Sequence, residues 1–160
     1  MITKTSLSAI RALMYVARNG EGGSLSPRRI AEELHESPTY MAKVTRQLVK
    51  AGIFRGEMGV KGGVRLGRPA SRITLLSVVE ACQGTLVGDY CQPGCDLTSV
   101  CAYHRAAAEL HAAISGVLSR WTLEQLLQKP APSAKTAGAK LPCAVLDGIS
   151  PAVFQSHKGQ

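Results

Sequence analysis

The sequence predicts a mainly α fold with one small β-hairpin, and three observations predict it. Apolar residues recur at helical spacing over most of residues 6–127. Two Ser-Pro pairs, Ser26-Pro27 and Ser37-Pro38, lie where helices would begin. A glycine-punctuated stretch with alternating apolar and polar residues interrupts the helical pattern between residues 53 and 66. With 160 residues, the chain suffices for one domain with an added element and a tail. No run approaches the roughly 18 apolar residues of a membrane span, and Met1-Ile2-Thr3-Lys4 does not read as a secretory signal. A soluble, cytoplasmic chain with reduced thiols is therefore expected.

The first helix is expected over Ser6 to Arg18, where Leu7, Ile10, Leu13, Met14 and Ala17 share a face before Asn19-Gly20 stops the pattern. Ser26-Pro27 opens a second helix, with Ile30, Ala31 and Leu34 as its apolar stripe and an end near His35. Ser37-Pro38 opens a third only two residues later, and Gly52 closes it. On this third helix Met41, Val44, Leu48 and Ala51 form the packing face, while Lys43, Arg46, Gln47 and Lys50 form a basic, hydrogen-bonding face. Two helices joined by a tight turn, the second carrying such a stripe, fit a helix-turn-helix whose second helix enters the major groove. An ordinary solvated helix face is the alternative for that helix in isolation.

Ile53-Phe54-Arg55 and Gly63-Val64-Arg65-Leu66 then read as the strands of a hairpin, with Gly56, Gly59 and Gly62 in the turn and Lys61 near the tip. A hairpin directly after a recognition-type helix is the wing of a winged helix-turn-helix, and Lys61, Arg65 and Arg68 are placed to meet phosphate or the minor groove. The charge distribution agrees. Residues 1–75 hold 13 Lys or Arg against 5 Asp or Glu, whereas residues 76–160 hold 6 of each, so the whole net charge of +8 sits beside the expected polyanion-binding half. The expected DNA-contacting set is Arg28, Ser37, Thr39, Tyr40, Lys43, Arg46, Gln47, Lys50, Lys61 and Arg65.

Thr74 starts a fourth, short helix in which Cys82 has apolar neighbours and reads as a core residue, and Gly84 ends it. The expected organisation is a DNA-binding domain over 1–83, a cysteine-containing loop over 84–101, a dimerisation helix region over 102–128 and a flexible tail over 129–160. Leu110, Ile114, Val117 and Leu118 stripe the helix after the loop, with a break near Thr122. Too little chain surrounds this region to cover it, which predicts pairing with a second copy.

Three of the five cysteines fall in Cys91-Gln92-Pro93-Gly94-Cys95-Asp96-Leu97-Thr98-Ser99-Val100-Cys101, and His104 follows: the pattern is C-x3-C-x5-C-x2-H. Cys101 and His104, three apart at a helix start, project from the same face. Four soft or borderline ligands are available, the number that tetrahedral zinc or a two-iron cluster requires. Spacing does not choose between them, and a metal-free thiol switch remains open. No nucleophile–base pair at telling spacing and no phosphate-binding glycine loop opening a helix is present, so an enzyme is not expected.

Taken together, these residues resemble the Rrf2 (Rrf-two) family of bacterial winged helix-turn-helix transcriptional regulators. The resemblance is carried by Ser37-Pro38-Thr39-Tyr40, Lys50-Ala51-Gly52-Ile53, Lys61-Gly62-Gly63 through Arg68-Pro69, Ile73 through Ala81, the three-cysteine loop and Thr122 through Leu126. It implies a homodimer paired through the helix after the cysteines, binding a palindromic promoter site. It also implies that Cys91, Cys95 and Cys101 hold an iron-sulfur cluster, [2Fe-2S] favoured over [4Fe-4S], whose state controls DNA affinity. In the iron-sulfur-assembly branch a histidine three residues past the last cysteine is the fourth ligand, and His104 has that place; the nitric-oxide-sensing branch uses an N-terminal acid, which is missing around Ile10. Met58 stands where the family wing usually has Arg, the first two cysteines are closer together than in that branch, and the tail with Cys143 has no family counterpart.

Overall fold

A computed structural model describes residues 2–20, 23–59, 62–86 and 101–128 of the chain. The elements run α1 (Lys4–Asn19), α2 (Pro27–Leu34), α3 (Pro38–Lys50), β1 (Phe54–Glu57), β2 (Gly63–Leu66), a 3-10 turn (Ala70–Arg72), α4 (Leu75–Gln83), α5 (Ala102–Arg120) and α6 (Leu123–Gln128). The mainly helical fold with one antiparallel hairpin is the architecture the sequence predicts. Lys61, Cys91, Cys95 and the tail beyond residue 128 lie outside the described residues.

Local chemistry sets the helix starts. The side chains of Thr3, Ser26, Ser37 and Thr74 accept from the backbone N–H groups of Ser6, Arg29, Tyr40 and Ser77, satisfying donors that a helix leaves without partners. Thr3 is why α1 begins two residues before Ser6. His35 ends α2 in the left-handed region at φ 54°, and its N–H reaches the carbonyls of Ala31 and Glu32. That conformation turns the chain so sharply that Ser37 already caps α3.

The core is built around α1. Ala9, Ala12, Leu13 and Val16 pack with Ile30, Leu34, Met41, Val44, Leu48, Ile53, Phe54, Ile73 and Val78, so one helix supports both halves of the helix-turn-helix and the base of the hairpin. Met41, Val44 and Leu48 are fully buried as the periodicity requires, but Ala51 is exposed. The reason is that α3 ends at Lys50 and Ala51 is its C-cap, where helical phase no longer governs direction. Cys82 is half-buried against the core, and burial pushes its thiol up to about 11.

The hairpin pairs Phe54 with Leu66, Arg55 with Arg65, Gly56 with Val64 and Glu57 with Gly63. Phe54 and Val64 point inward while Arg55 and Arg65 face out, the period-two alternation of a half-buried sheet. A third extended segment, unforeseen in the sequence, docks on β2: the N–H of Leu25 donates to the carbonyl of Val64 at 2.9 Å, and that of Val64 to the carbonyl of Leu25 at 2.8 Å. Gly63 permits this approach, because a Cβ there would sit 2.5 Å from the Leu25 carbonyl. Gly63→Ala is therefore expected to lower stability by about 1–3 kcal/mol through backbone displacement, read as a lower urea midpoint. Gly56→Ala, whose added methyl meets nothing within 4 Å, is the control and should shift it far less.

The C-terminal helices return to the same core. Leu75 donates to the carbonyl of Trp121 at 2.9 Å and Leu123 to that of Ile73 at 2.8 Å, and Leu118 and Leu123 are buried. The C-terminal end of α5 is thus tied to the start of α4. Its first half is largely exposed.

Candidate nucleic-acid interface and cysteine site

The outward face of α3 is a cationic stripe. Thr39, Lys43, Arg46 and Lys50 are exposed at spacings of four, three and four residues, and the three cations form no ion pair among the described residues. Cations left without counterions on a supported, rigid helix are what phosphate and base edges can use. Ser37 is exposed, but its hydroxyl oxygen is engaged as the α3 cap. Tyr40 is half-buried; its hydroxyl donates to Thr5 Oγ1 at 3.4 Å, which holds α3 against α1.

Gln47 stands apart from the other three members of the basic face. It is half-buried, and its Nε2 donates to the backbone carbonyl of Cys82 at 3.4 Å, in the last turn of α4. Among the described residues its Oε1 is buried without a hydrogen-bond partner, a situation that costs about 1–3 kcal/mol for a polar group. Helical phase alone puts Gln47 beside Lys43 and Lys50; α4, thirty-five residues further along, decides where its amide goes.

Arg28 and Arg65 are exposed but paired. Arg28 Nε donates to Glu32 at 2.9 Å along α2, and Arg65 pairs with Glu57 across the hairpin. Exposed pairs of this kind are worth at most about 1 kcal/mol, so both cations remain exchangeable toward phosphate. Arg55 escaped the sequence reading. It lies opposite Arg65 on the same exposed face of the wing, and the alternation Phe54-in, Arg55-out was the signal for it. Met58, at the hairpin turn, is fully exposed.

The cysteine site is described at its last cysteine. Cys101 is the N-cap residue of α5, with an exposed thiol, and its Sγ lies 3.0 Å from His104 Nδ1 one turn further on. The hydrogen bond with His104 holds the Cys101 thiol below its ordinary range. The imidazole is half-buried and packs edge-on to the Tyr103 ring, with centroids 6.1 Å apart. A soft sulfur biased toward thiolate beside an imidazole nitrogen is a donor pair that fits a metal or an iron-sulfur cluster. Among the described residues no group of three or more His, Cys, Asp or Glu converges, and Cys91 and Cys95 lie outside them.

A tri-helical core, a helix-turn-helix with a cationic second helix and a two-stranded wing define a winged-helix DNA-binding regulator. Residues 2–129 match the Rrf2 family, described as an iron-dependent transcriptional regulator, and the chain belongs to that family. Its members are transcriptional regulators rather than enzymes, and their winged helices bind DNA. Protein aau3 of Rhizobium meliloti (strain 1021) is 34% identical over 131 residues, covering 79% of this chain and 84% of that protein. Among solved structures, CymR (YrzC), the global cysteine regulator of B. subtilis, superposes with a TM-score of 0.65 at 20% identity, covering 79% of this chain and 95% of CymR. IscR of T. potens gives 0.64 at 21% identity, covering 82% and 93%. Among the described residues no helix is long and apolar enough to cross a membrane.

Proposed function

We propose that this chain acts in the cytoplasm as a homodimeric regulator of transcription that reads a palindromic duplex site, with a DNA affinity that depends on an iron-sulfur cluster. In this reading Thr39, Lys43, Arg46 and Lys50 enter the major groove, Arg28, Arg55, Lys61 and Arg65 meet the backbone, and Ser37 and Tyr40 hold the start of α3 in place. Cys91, Cys95, Cys101 and His104 are the cluster ligands, and [2Fe-2S] is favoured over [4Fe-4S]. The observation that carries it is the Cys101–His104 pair at 3.0 Å on the first turn of α5. Sulfur and imidazole nitrogen, the last two donors of the C-x3-C-x5-C-x2-H pattern, are adjacent, which supports this reading. A bound cluster would supply a centre responsive to iron, oxidants or nitric oxide; the protein's part is to supply the three thiolates and the imidazole that would hold it.

The same observation also supports a second reading, thiol control without metal. An exposed thiol held toward thiolate is the reactive kind. One measurement separates the two. Anaerobically purified chain is expected to be coloured and to contain iron and acid-labile sulfide, with Cys101→Ala reducing both to background. Colourless chain free of iron that still changes its DNA affinity on oxidation would establish the thiol reading, and one zinc per chain would establish a structural metal site.

A further inference from the structure

We infer that Gln47 is a positioning residue that transmits the state of the cysteine segment to the recognition helix by capping the end of α4, rather than a reader of bases; this rests on the cluster-dependent reading above. The carbonyl of Cys82 lies in the last turn of α4, where a helix leaves acceptors without internal partners. The amide of Gln47, on the recognition helix, supplies the missing donor. Two residues on, Gly84 ends α4 at φ 78°, and Cys91 follows Gln83 by eight residues. The contact between α3 and α4 is therefore made at the point where the chain leaves the packed domain for the cysteines.

A second amide fixes the same turn from the other side. Gln83 Oε1 accepts from the N–H of Thr3 at 3.2 Å and from the hydroxyl of Ser6 at 3.0 Å, tying α4 to the start of α1. The end of α4 is thus held between α1 and the recognition helix, and α5, whose N-cap is Cys101, packs against α4. The chain leaves toward Cys91 directly from this turn, so the turn is where a change at the proposed ligands reaches the packed domain.

Of the two amide clamps, the one to α3 is the weaker. Its donor–acceptor distance of 3.4 Å is long for an N–H···O bond, and Gln47 Oε1 is buried without a hydrogen-bond partner among the described residues. A half-satisfied contact is the one to yield first when the turn moves, and its release frees α3 to shift in the groove. The Cys82 side chain is not itself the sensor in this scheme; only its backbone carbonyl is used.

The test compares wild type with Gln47→Met, which keeps length and volume but has no donor, and Gln47→Leu. Binding of the full chain to a labelled duplex of its own promoter is measured anaerobically for cluster-loaded and apo protein, together with hydrogen exchange of the α4 last turn. Wild type should show a loaded-to-apo affinity ratio within the roughly 5- to 150-fold range of allosteric couplings. Both variants should bring the ratio to within about twofold of one, with base preferences unchanged and faster exchange at Gln83 and Gly84. A variant that keeps the wild-type ratio overturns the inference, as does one that loses discrimination at a single base pair equally in both states. A wild-type ratio of one would instead sink the cluster-dependent reading, and the coupling role with it.

Discussion

Alanine at both Lys43 and Arg46 is expected to weaken binding to a half-site duplex by about 30- to 700-fold per subunit at 0.1 M salt. The estimate adds about 1–3 kcal/mol for an arginine at a base edge to about 1 kcal/mol for a lysine at phosphate, at 1.4 kcal/mol per tenfold. Both side chains are exposed and unpaired among the described residues, so neither contributes to the core and the unfolding midpoint should stay within experimental error of wild type. The two substitutions should also behave differently from one another. Lys43→Ala should weaken binding to every sequence alike and lower the slope of log K against log salt by about one per half-site. Arg46→Ala should relax the preference at particular base pairs. Titrations of operator and scrambled duplex at several salt concentrations make the comparison. Undiminished binding by the double variant would remove α3 as the recognition helix.

What was legible in the sequence is what local chemistry decides. Ser26-Pro27, Ser37-Pro38 and Thr74 each cap a helix because the donors they satisfy lie within three residues. Cys101 and His104 meet because three residues of helix bring them to one face, whatever the rest of the chain does. The parts that escaped are set from a distance. Leu25 is bound to Val64 through two backbone bonds that no side-chain pattern announces, since a single extended residue has no period. The pairing of Thr74 with Thr122 is of the same kind. Gln47 has the right phase for the groove-facing stripe, and only the packing of α4 beside α3 turns its amide inward. Ala51 shows the complementary error: periodicity was extended one residue past the end of the helix that produced it.

The distant contacts are also what join the C-terminal helices to the winged helix. Leu123 shares the core with α1, and the carbonyl of Trp121 is bonded to the start of α4. The end of α5 is therefore not a separate body hung on a linker. Its N-terminal end follows Cys101, and its far end is fixed to the winged helix.

In the homodimer proposed above, glutamate at both Leu110 and Val117 is expected to leave the chain monomeric and to lower promoter affinity by about 10²- to 10⁴-fold, the loss that follows when two linked binding events become one. Tyr103, Leu110 and Val117 are 66%, 59% and 45% exposed and recur every seven residues along α5. Ala106 and Ala113 fall between them, also exposed, which gives the seam small residues where a second helix can come close. Beside it lies an open apolar groove of about 550 Å³ lined by Ile2, Leu86, Ala113, Ile114, Val117 and Leu118. Burying each Leu or Val side chain is worth about 1.5–3 kcal/mol, and a two-fold axis places every substitution in the interface twice. Four carboxylates brought onto one apolar seam exceed what the remaining contacts can offset. Neither Leu110 nor Val117 is buried in its own chain, so the monomer should keep its helical circular dichroism and its core. A palindrome read by two recognition helices about 34–36 Å apart requires both copies on the duplex. Sedimentation velocity with a half-site duplex then separates the alternatives: the variant should bind the half-site as wild type binds it and lose only the gain from the second half. A variant that still sediments as a dimer would place the interface elsewhere than α5.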